Sequence, residues 1–138
     1  MWVPVPAPIS KTVAPGLIKL LIKHKFINIR FLCGNSSVGK NISSYEKSLS
    51  SKKLPKIIRY NKELLKNIDL VFTALPNGEA QDISNDLLKN NILIDLAADF
   101  RLNKASEYLK WYKQKHRSVK NIKKSKLKFI FFFLRSES

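Results

Sequence analysis

The chain is poor in cysteine, glycine and acidic side chains: its 138 residues include one Cys, four Gly and 10 Asp plus Glu. A single cysteine excludes both a disulfide framework within the chain and a thiolate-based zinc site, since each needs several cysteines. No apolar run approaches the ~20 residues of a membrane-spanning helix. The opening segment also lacks the basic and apolar regions of a secretory signal. These absences favour a cytoplasmic protein, and we assign no metal site.

Positive charge is in large excess, with 26 Lys plus Arg, and most of the excess lies towards the two ends. Residues 46–112 carry 11 basic and 9 acidic side chains. Residues 1–45 carry six basic and no acidic ones, and residues 113–138 carry nine and one. Such a surplus leaves a non-catalytic basic binding module as an alternative function. Because no zinc-finger spacing or aromatic–basic motif accompanies the charge, we expect no specific nucleic-acid partner.

Helical and strand patterns alternate along the chain. Four of the six prolines lie within residues 1–16, which predicts an extended or poorly ordered start. The following residues predict helices at 17–24, 61–66, 79–90 and 105–115, and strands at 26–33, 56–60, 69–75 and 91–96. Strands separated by helices indicate an α/β fold with a parallel sheet and crossover helices. Ligands bind such sheets beyond the carboxyl ends of the strands, here residues 33–37, 74–78 and 95–101.

Four strings in the sequence resemble one family of reductases. They are NSSVGK at 35–40, DLVFTALPNG at 69–78, IDLAADFRL at 94–102 and YLKWY at 108–112. Together they resemble N-acetyl-gamma-glutamyl-phosphate reductase over about residues 17–116. The resemblance implies an incomplete Rossmann-like sheet with poorly ordered basic ends. It divides the chain into an atypical Pro-rich N-terminus (1–16), a partial NAD(P)-binding domain (17–116) and a basic, apolar tail (117–138).

The resemblance also implies a reaction. Such enzymes use NADPH to reduce N-acetyl-glutamyl 5-phosphate to its semialdehyde, in arginine biosynthesis, and complete members are expected to be cytoplasmic homo-oligomers. A fragment of aspartate-semialdehyde dehydrogenase, which shares the fold and chemistry, is the alternative within the enzyme class.

The resemblance assigns cofactor contacts to two loops. The loop after the strand at 26–33 would hold the adenosine ribose and its 2′-phosphate, and the loop after the strand at 69–75 would line the cofactor crevice. The eight cofactor-binding residues are Gly34, Asn35, Ser36, Ser37, Ala74, Leu75, Pro76 and Asn77. Because the family commonly offers Ser and Arg where Gly34 and Asn35 stand, the preference for NADP over NAD is left open.

Three departures from the family pattern bear on activity. Residues 10–16 stand where the family has a glycine-rich phosphate loop, and of its glycines only Gly16 remains. The family's catalytic cysteine has no counterpart, and we expect Cys33 to be a buried small apolar residue. The substrate domain is also missing. We therefore assign no catalytic residue and expect a truncated or frame-disrupted reductase that is inactive alone.

Several polar and aromatic residues carry expectations of their own. Asp95, Asp99 and Arg101 are expected either to form a structural salt bridge or to position the floor of the active site. His24 and His116 are expected to be exposed residues at helix ends. The aromatic side chains Tyr108, Trp111 and Tyr112 are expected to pack against the sheet.

Overall fold

A computed structural model describes residues 10–125, which divide between Asp69 and Leu70 into two compact units. The elements in chain order are α1 (Ser10–Leu21), β1 (Leu32–Cys33), β2 (Ile57–Ile58), β3 (Leu70–Thr73), α2 (Glu79–Asp86), β4 (Ile92–Asp95), α3 (Ala105–Tyr112) and α4 (Val119–Ile122). Short 3₁₀ helices occupy Ile42–Ser44, Lys47–Leu49 and Lys62–Asn67. None of the helices among residues 10–125 is both long and apolar enough to cross a bilayer.

Helix α1 begins earlier than the sequence predicts. Residues 10–16 were expected to be extended, but they are helical and include Pro15 inside the helix. Proline has no N–H, so this position removes the bond that would reach the Lys11 carbonyl one turn earlier, and the helix tolerates that loss near its start. The expectation of an extended start at residues 1–9 lies outside the described residues, as does the apolar part of the tail after residue 125.

In the first unit, β1 and β2 pair in parallel, with Leu32 opposite Ile57. Both strands are two residues long, much shorter than predicted, and the amide of Gly39 donates to the Ile57 carbonyl, 2.8 Å away. The core of this unit consists of the buried side chains Ile18, Ile42, Leu49 and Ile57.

In the second unit, β3 and β4 pair in parallel over four residues, from Leu70 opposite Ile92 to Thr73 opposite Asp95. Helix α2 forms the crossover between them, as the alternating pattern predicted. Ala80, Phe100 and Ile122 form the buried core, with Leu93 and Ala105 packed against it. Ile122 belongs to α4, a short helix in the segment assigned to the tail.

The parallel pairing and the α/β class are confirmed, but the described strands form two two-stranded sheets, β1–β2 and β3–β4, and not one continuous sheet.

Candidate functional site

The carboxyl ends of β3 and β4 are joined by a side-chain hydrogen bond. Thr73 and Asp95 lie opposite each other as the last residues of the two strands. The Thr73 hydroxyl donates to Asp95 Oδ1 at 2.9 Å, and the Leu96 amide donates to the Thr73 carbonyl at 2.8 Å. Two loops, residues 74–78 and 96–101, leave this edge of the sheet. These hydrogen bonds therefore hold the first residues of both loops in place.

Asp95 also shapes the loop that follows β4. Its Oδ1 accepts from the Ala97 amide and its Oδ2 from the Asp99 amide, both at 3.2 Å. Burial raises the pKa of Asp95, and the hydrogen bonds from Ala97 and Thr73 oppose this rise. The neighbouring charge of Asp99 raises the pKa of Asp95 further. Asp95 thus caps a tight turn that brings the next carboxylate beneath the other loop.

Asp99 is fully buried and connects the two loops. Its Oδ1 accepts from the Gly78 amide and from the Tyr108 hydroxyl, each at 2.7 Å. Its Oδ2 has no hydrogen-bond partner among residues 10–125. Neither Asp95 nor Asp99 is ion-paired with Arg101 in this part of the chain. Arg101 is exposed, and its guanidinium donates to the Ala97 carbonyl at 3.3 Å. The salt-bridge expectation is wrong, because backbone amides and the hydroxyls of Thr73 and Tyr108 donate hydrogen bonds to these carboxylates instead.

Gly78 ends the β3–α2 loop in a conformation that suits glycine. Its φ is +99°, in the left-handed region. A Cβ there would lie 3.2 Å from Gln114 Oε1 and 3.3 Å from a guanidinium nitrogen of Arg117. Arg117 Nη2 donates to the Gly78 carbonyl at 2.6 Å and to Asp82 Oδ2 at 2.9 Å. The Gly78 residue is therefore held through both its N–H and its C=O.

His116 is buried, so the expectation of an exposed histidine is wrong here. Its Nδ1 accepts from the Ser118 amide at 3.1 Å, which places the ring proton on Nε2. Nε2 then donates to the Asp99 carbonyl at 2.7 Å. The ring meets Phe100 and Tyr108 edge-on. The buried His116 ring is held by hydrogen bonds to the backbone and by contacts with two aromatic rings. The residues next to His116 in the sequence do not predict these contacts. His24 is exposed, as expected.

The aromatic helix α3 contributes unequally to the core. Tyr108 is fully buried, and its burial and its bond to Asp99 raise the pKa of the phenol well above its ordinary value. Tyr112 is half-buried beside it, with ring centroids 4.8 Å apart. Trp111 is 57% exposed, so its expected packing against the sheet is wrong. The exposed Trp111 ring instead lies beside Lys110, whose Nζ is 5.6 Å from the ring centroid.

The four predicted contacts of the second unit occupy the loop that Gly78 ends. Ala74, Leu75 and Asn77 are half-buried, and Pro76 is exposed. The Pro76 carbonyl accepts from the Glu79 amide at 3.2 Å, which begins α2. The loop is therefore accessible from one side and anchored on the other.

The four predicted contacts of the first unit form a turn after β1. Asn35 and Ser36 are exposed, while Gly34 and Ser37 are half-buried. A Cβ on Gly34 would lie 3.1 Å from Ile57 Cγ2 and 3.3 Å from Ser37 Oγ, so glycine permits close contact with β2. Neutral hydroxyl and amide groups face solvent here, and the first basic residue after them is Lys40.

The predicted contact residues of each unit offer neutral polar groups, among them the hydroxyls of Ser36 and Ser37 and the amide of Asn77. Hydroxyl and amide groups suit ribose and carboxamide, but a pyrophosphate needs a cluster of free backbone amides. Gly16 lies within α1 and is exposed, with nothing within 4 Å of an added Cβ. The first turn of α2 carries Glu79 and Asp82, which disfavour an anion.

Cys33 is exposed at the end of β1, contrary to the expectation of a buried residue. Two-residue strands leave their ends uncovered, which explains the exposure. Partial desolvation raises the pKa of the thiol, so the protonated, unreactive form dominates at neutral pH. Within residues 10–125, no three His, Cys, Asp or Glu side chains come together as metal ligands would.

Parallel strands with a crossover helix, and polar loops at their carboxyl ends, are typical of nucleotide-binding α/β domains. Residues 10–128 match the family described as semialdehyde dehydrogenase, NAD binding domain. The chain belongs to this family. That membership confirms the expected fold class and a domain built to bind a nicotinamide cofactor.

Curated relatives narrow the resemblance. The chain is 39% identical over 109 residues to an N-acetyl-gamma-glutamyl-phosphate reductase of Brachyspira hyodysenteriae, covering 78% of this chain and 30% of that protein. A reductase of the same name from Paracoccus denitrificans is 36% identical over 100 residues, covering 72% and 29%. A probable chloroplastic reductase of that name from Arabidopsis thaliana is 31% identical over 103 residues, covering 75% and 26%. The chain thus spans about 30% of the length of these relatives.

Proposed function

We propose that this chain is the cofactor-binding part of an N-acetyl-gamma-glutamyl-phosphate reductase. The observation that carries the proposal is the β3–α2 loop. In a domain of the semialdehyde dehydrogenase family it presents Ala74, Leu75, Pro76 and Asn77 at the carboxyl end of a parallel strand pair. The names of the relatives favour this reductase over aspartate-semialdehyde dehydrogenase.

In the complete enzyme the bound nicotinamide would supply hydride to reduce N-acetyl-glutamyl 5-phosphate to the semialdehyde. The residues of this chain would bind and orient the cofactor: Asn77 offers an amide to the nicotinamide end, and Ser36 offers a hydroxyl to the adenosine ribose. Partial burial raises the pKa of the Cys33 thiol, which disfavours the thiolate and supports a binding role for the chain alone. Assembly as a cytoplasmic homo-oligomer is part of the same proposal and is supported by the resemblance alone.

NADP is the proposed form of the cofactor. The support for NADP is the reductase resemblance together with Lys40, a cation that follows the exposed turn at residues 35–39. Asn35 stands where the family commonly has Arg, and an amide offers no charge to a 2′-phosphate. We therefore propose a modest preference for NADPH over NADH.

The test is a fluorescence titration of the purified chain with NADPH and, separately, with NADH. Asn77→Ala should weaken NADPH binding by about two- to tenfold, the worth of one uncharged hydrogen bond. Asn90→Ala, at an exposed turn just before β4, is the matched control and should leave the dissociation constant unchanged. A wild-type chain that is folded by circular dichroism yet binds neither nucleotide would refute the proposal.

A further inference from the structure

We infer that Asp99 and Tyr108 are positioning residues for the β3–α2 loop, acting through the Gly78 amide. The inference rests on the proposed function, because it explains how the loop that would contact the nicotinamide end is kept in shape. Neither side chain is assigned a contact with the cofactor.

The first support is geometric. Gly78 follows directly on the predicted contact residues 74–77, and its N–H points to Asp99 Oδ1 at 2.7 Å. A short hydrogen bond between a backbone amide and a carboxylate is a charge-assisted bond, about twice as strong as a neutral one. Since Gly78 occupies the left-handed region, this bond selects one orientation of the peptide that closes the loop.

The second support is the way in which the carboxylate is itself held. The Tyr108 hydroxyl can only donate to a carboxylate, and it reaches the same Oδ1 at 2.7 Å. Both residues are fully buried. Tyr108 lies on α3, so the position of the loop is tied through Asp99 to a helix.

The third support is that only one of the two carboxylate oxygens of Asp99 accepts hydrogen bonds among the described residues. Asp99 Oδ2 is buried without a hydrogen-bond partner among residues 10–125. A carboxylate kept for its charge would be expected to use both oxygens, because burying an unpaired charge is costly. The role we assign needs Oδ1 alone, as an acceptor for two donors, and an amide oxygen can fill that role.

Two substitutions of Asp99 should therefore differ in their effect on the β3–α2 loop. Asp99→Asn keeps an acceptor oxygen in the same place and removes the charge, so the loop should stay ordered. Asp99→Ala removes the acceptor and leaves the Gly78 amide and the Tyr108 hydroxyl unpaired. Tyr108→Phe keeps the ring and removes one donor, and an intermediate effect is expected.

The experiment is amide hydrogen exchange read by mass spectrometry on peptides that cover residues 74–81. Asp99→Ala should speed exchange there by about tenfold or more, the worth of a bond to a charged acceptor. Asp99→Asn should speed exchange by less than Asp99→Ala, about threefold, because it keeps an acceptor oxygen but loses the charge assistance. Glu63→Gln, an exposed carboxylate of the first unit that lies outside these peptides, is the control for charge and should leave exchange of residues 74–81 unchanged.

The same variants are then titrated with NADPH. Weaker NADPH binding by Asp99→Ala than by Asp99→Asn supports the inference. It is overturned if Asp99→Asn loosens residues 74–81 as much as alanine does, or if a folded Asp99→Ala or Tyr108→Phe protein keeps full protection there. If Asp99→Ala does not fold, Tyr108→Phe and Asp99→Asn still decide. A wild-type chain that binds no NADPH refutes the proposed function but leaves the exchange result valid.

Discussion

Glycine has opposite structural roles at two positions of this chain. Gly78 adopts a φ of +99° in a crowded turn, whereas Gly16 lies in a helix with no atom within 4 Å of an added Cβ. The turn at Gly78 requires the absence of a side chain. Gly16 has no such requirement, and as a flexible residue in a helix it costs conformational entropy on folding.

Alanine should therefore act with opposite sign at the two glycines. Gly78→Ala should lower the free energy of unfolding by about 1–2 kcal/mol, the cost of a left-handed non-glycine residue. Gly16→Ala should raise it by about 0.5–1 kcal/mol, the gain in helix propensity. Urea denaturation of both variants beside wild type gives the two values, and a loss of stability in both would contradict this account of Gly16.

At the level of single residues, the sequence identified the loops better than their supports. The strings at 69–78 and 94–102 pointed to the carboxyl ends of two strands, and the structure places the ends of β3 and β4 there. The links from Asp99 to Gly78 and from His116 to the Asp99 carbonyl span 21 and 17 positions. Such contacts depend on tertiary packing, which no local pattern encodes. The sequence offered one signal for the link between Asp99 and Gly78: an aspartate that closely follows an apolar segment.

At the level of elements, strand length was predicted least well. The apolar run at 26–33 is typical of a strand, but only Leu32–Cys33 has a ladder partner. Strand propensity measures how well a residue fits a sheet that already exists, so a segment without a neighbour stays irregular. The helices depend on bonds within the segment, and α2 and α3 accordingly lie inside their predicted ranges.

The joined ends of β3 and β4 make a prediction about pH. Burial raises the pKa of Asp95 in the folded protein. The contribution of Asp95 to the free energy of unfolding is therefore fully present at pH values below the pKa that Asp95 has in the unfolded chain. The contribution is lost as the pH rises through the pKa of the folded protein. The difference in unfolding free energy between wild type and Asp95→Asn should therefore fall as the pH rises across this window.

A carboxylate of opposite behaviour serves as the control. Glu46 accepts from Lys19 and Ser48, and these bonds lower the pKa of its carboxyl, the Lys19 bond most strongly. The difference between wild type and Glu46→Gln should fall as the pH drops, and it should be small, because an exposed ion pair contributes little. Denaturant titrations over a series of pH values measure both trends. Parallel trends for the two variants would exclude the proposed cause for Asp95.

At the level of the whole molecule, charge is distributed unevenly between the two units. Residues 10–69 contain 13 Lys plus Arg and three acidic residues, while residues 70–125 contain ten and six. A dinucleotide phosphate and a nucleic acid would both be attracted to the first group, so charge by itself does not distinguish a reductase part from a basic binding module.

Salt dependence separates the two functions. We expect a labelled single-stranded RNA to bind weakly and to be released as salt rises from ~50 to ~200 mM, the behaviour of a non-specific polycation. Fluorescence anisotropy measures both conditions, with single-stranded DNA of the same sequence as the comparison. Tight binding that discriminates between the two nucleic acids at the higher salt would favour the binding module over the reductase part.

The parallel pairing of strands also sets the order in which each unit can fold. Leu32 pairs with Ile57, and Leu70 pairs with Ile92, so no ladder bond forms until an entire crossover has closed. Closing such loops costs chain entropy before any contact repays it, whereas helical turns such as those of α2 form locally. Helices should therefore precede sheets during refolding, and exposed strand edges should persist longest in the intermediates. Aggregation during refolding is accordingly governed by the time that β3 spends unpaired, a kinetic quantity that the stability of the native state does not reveal.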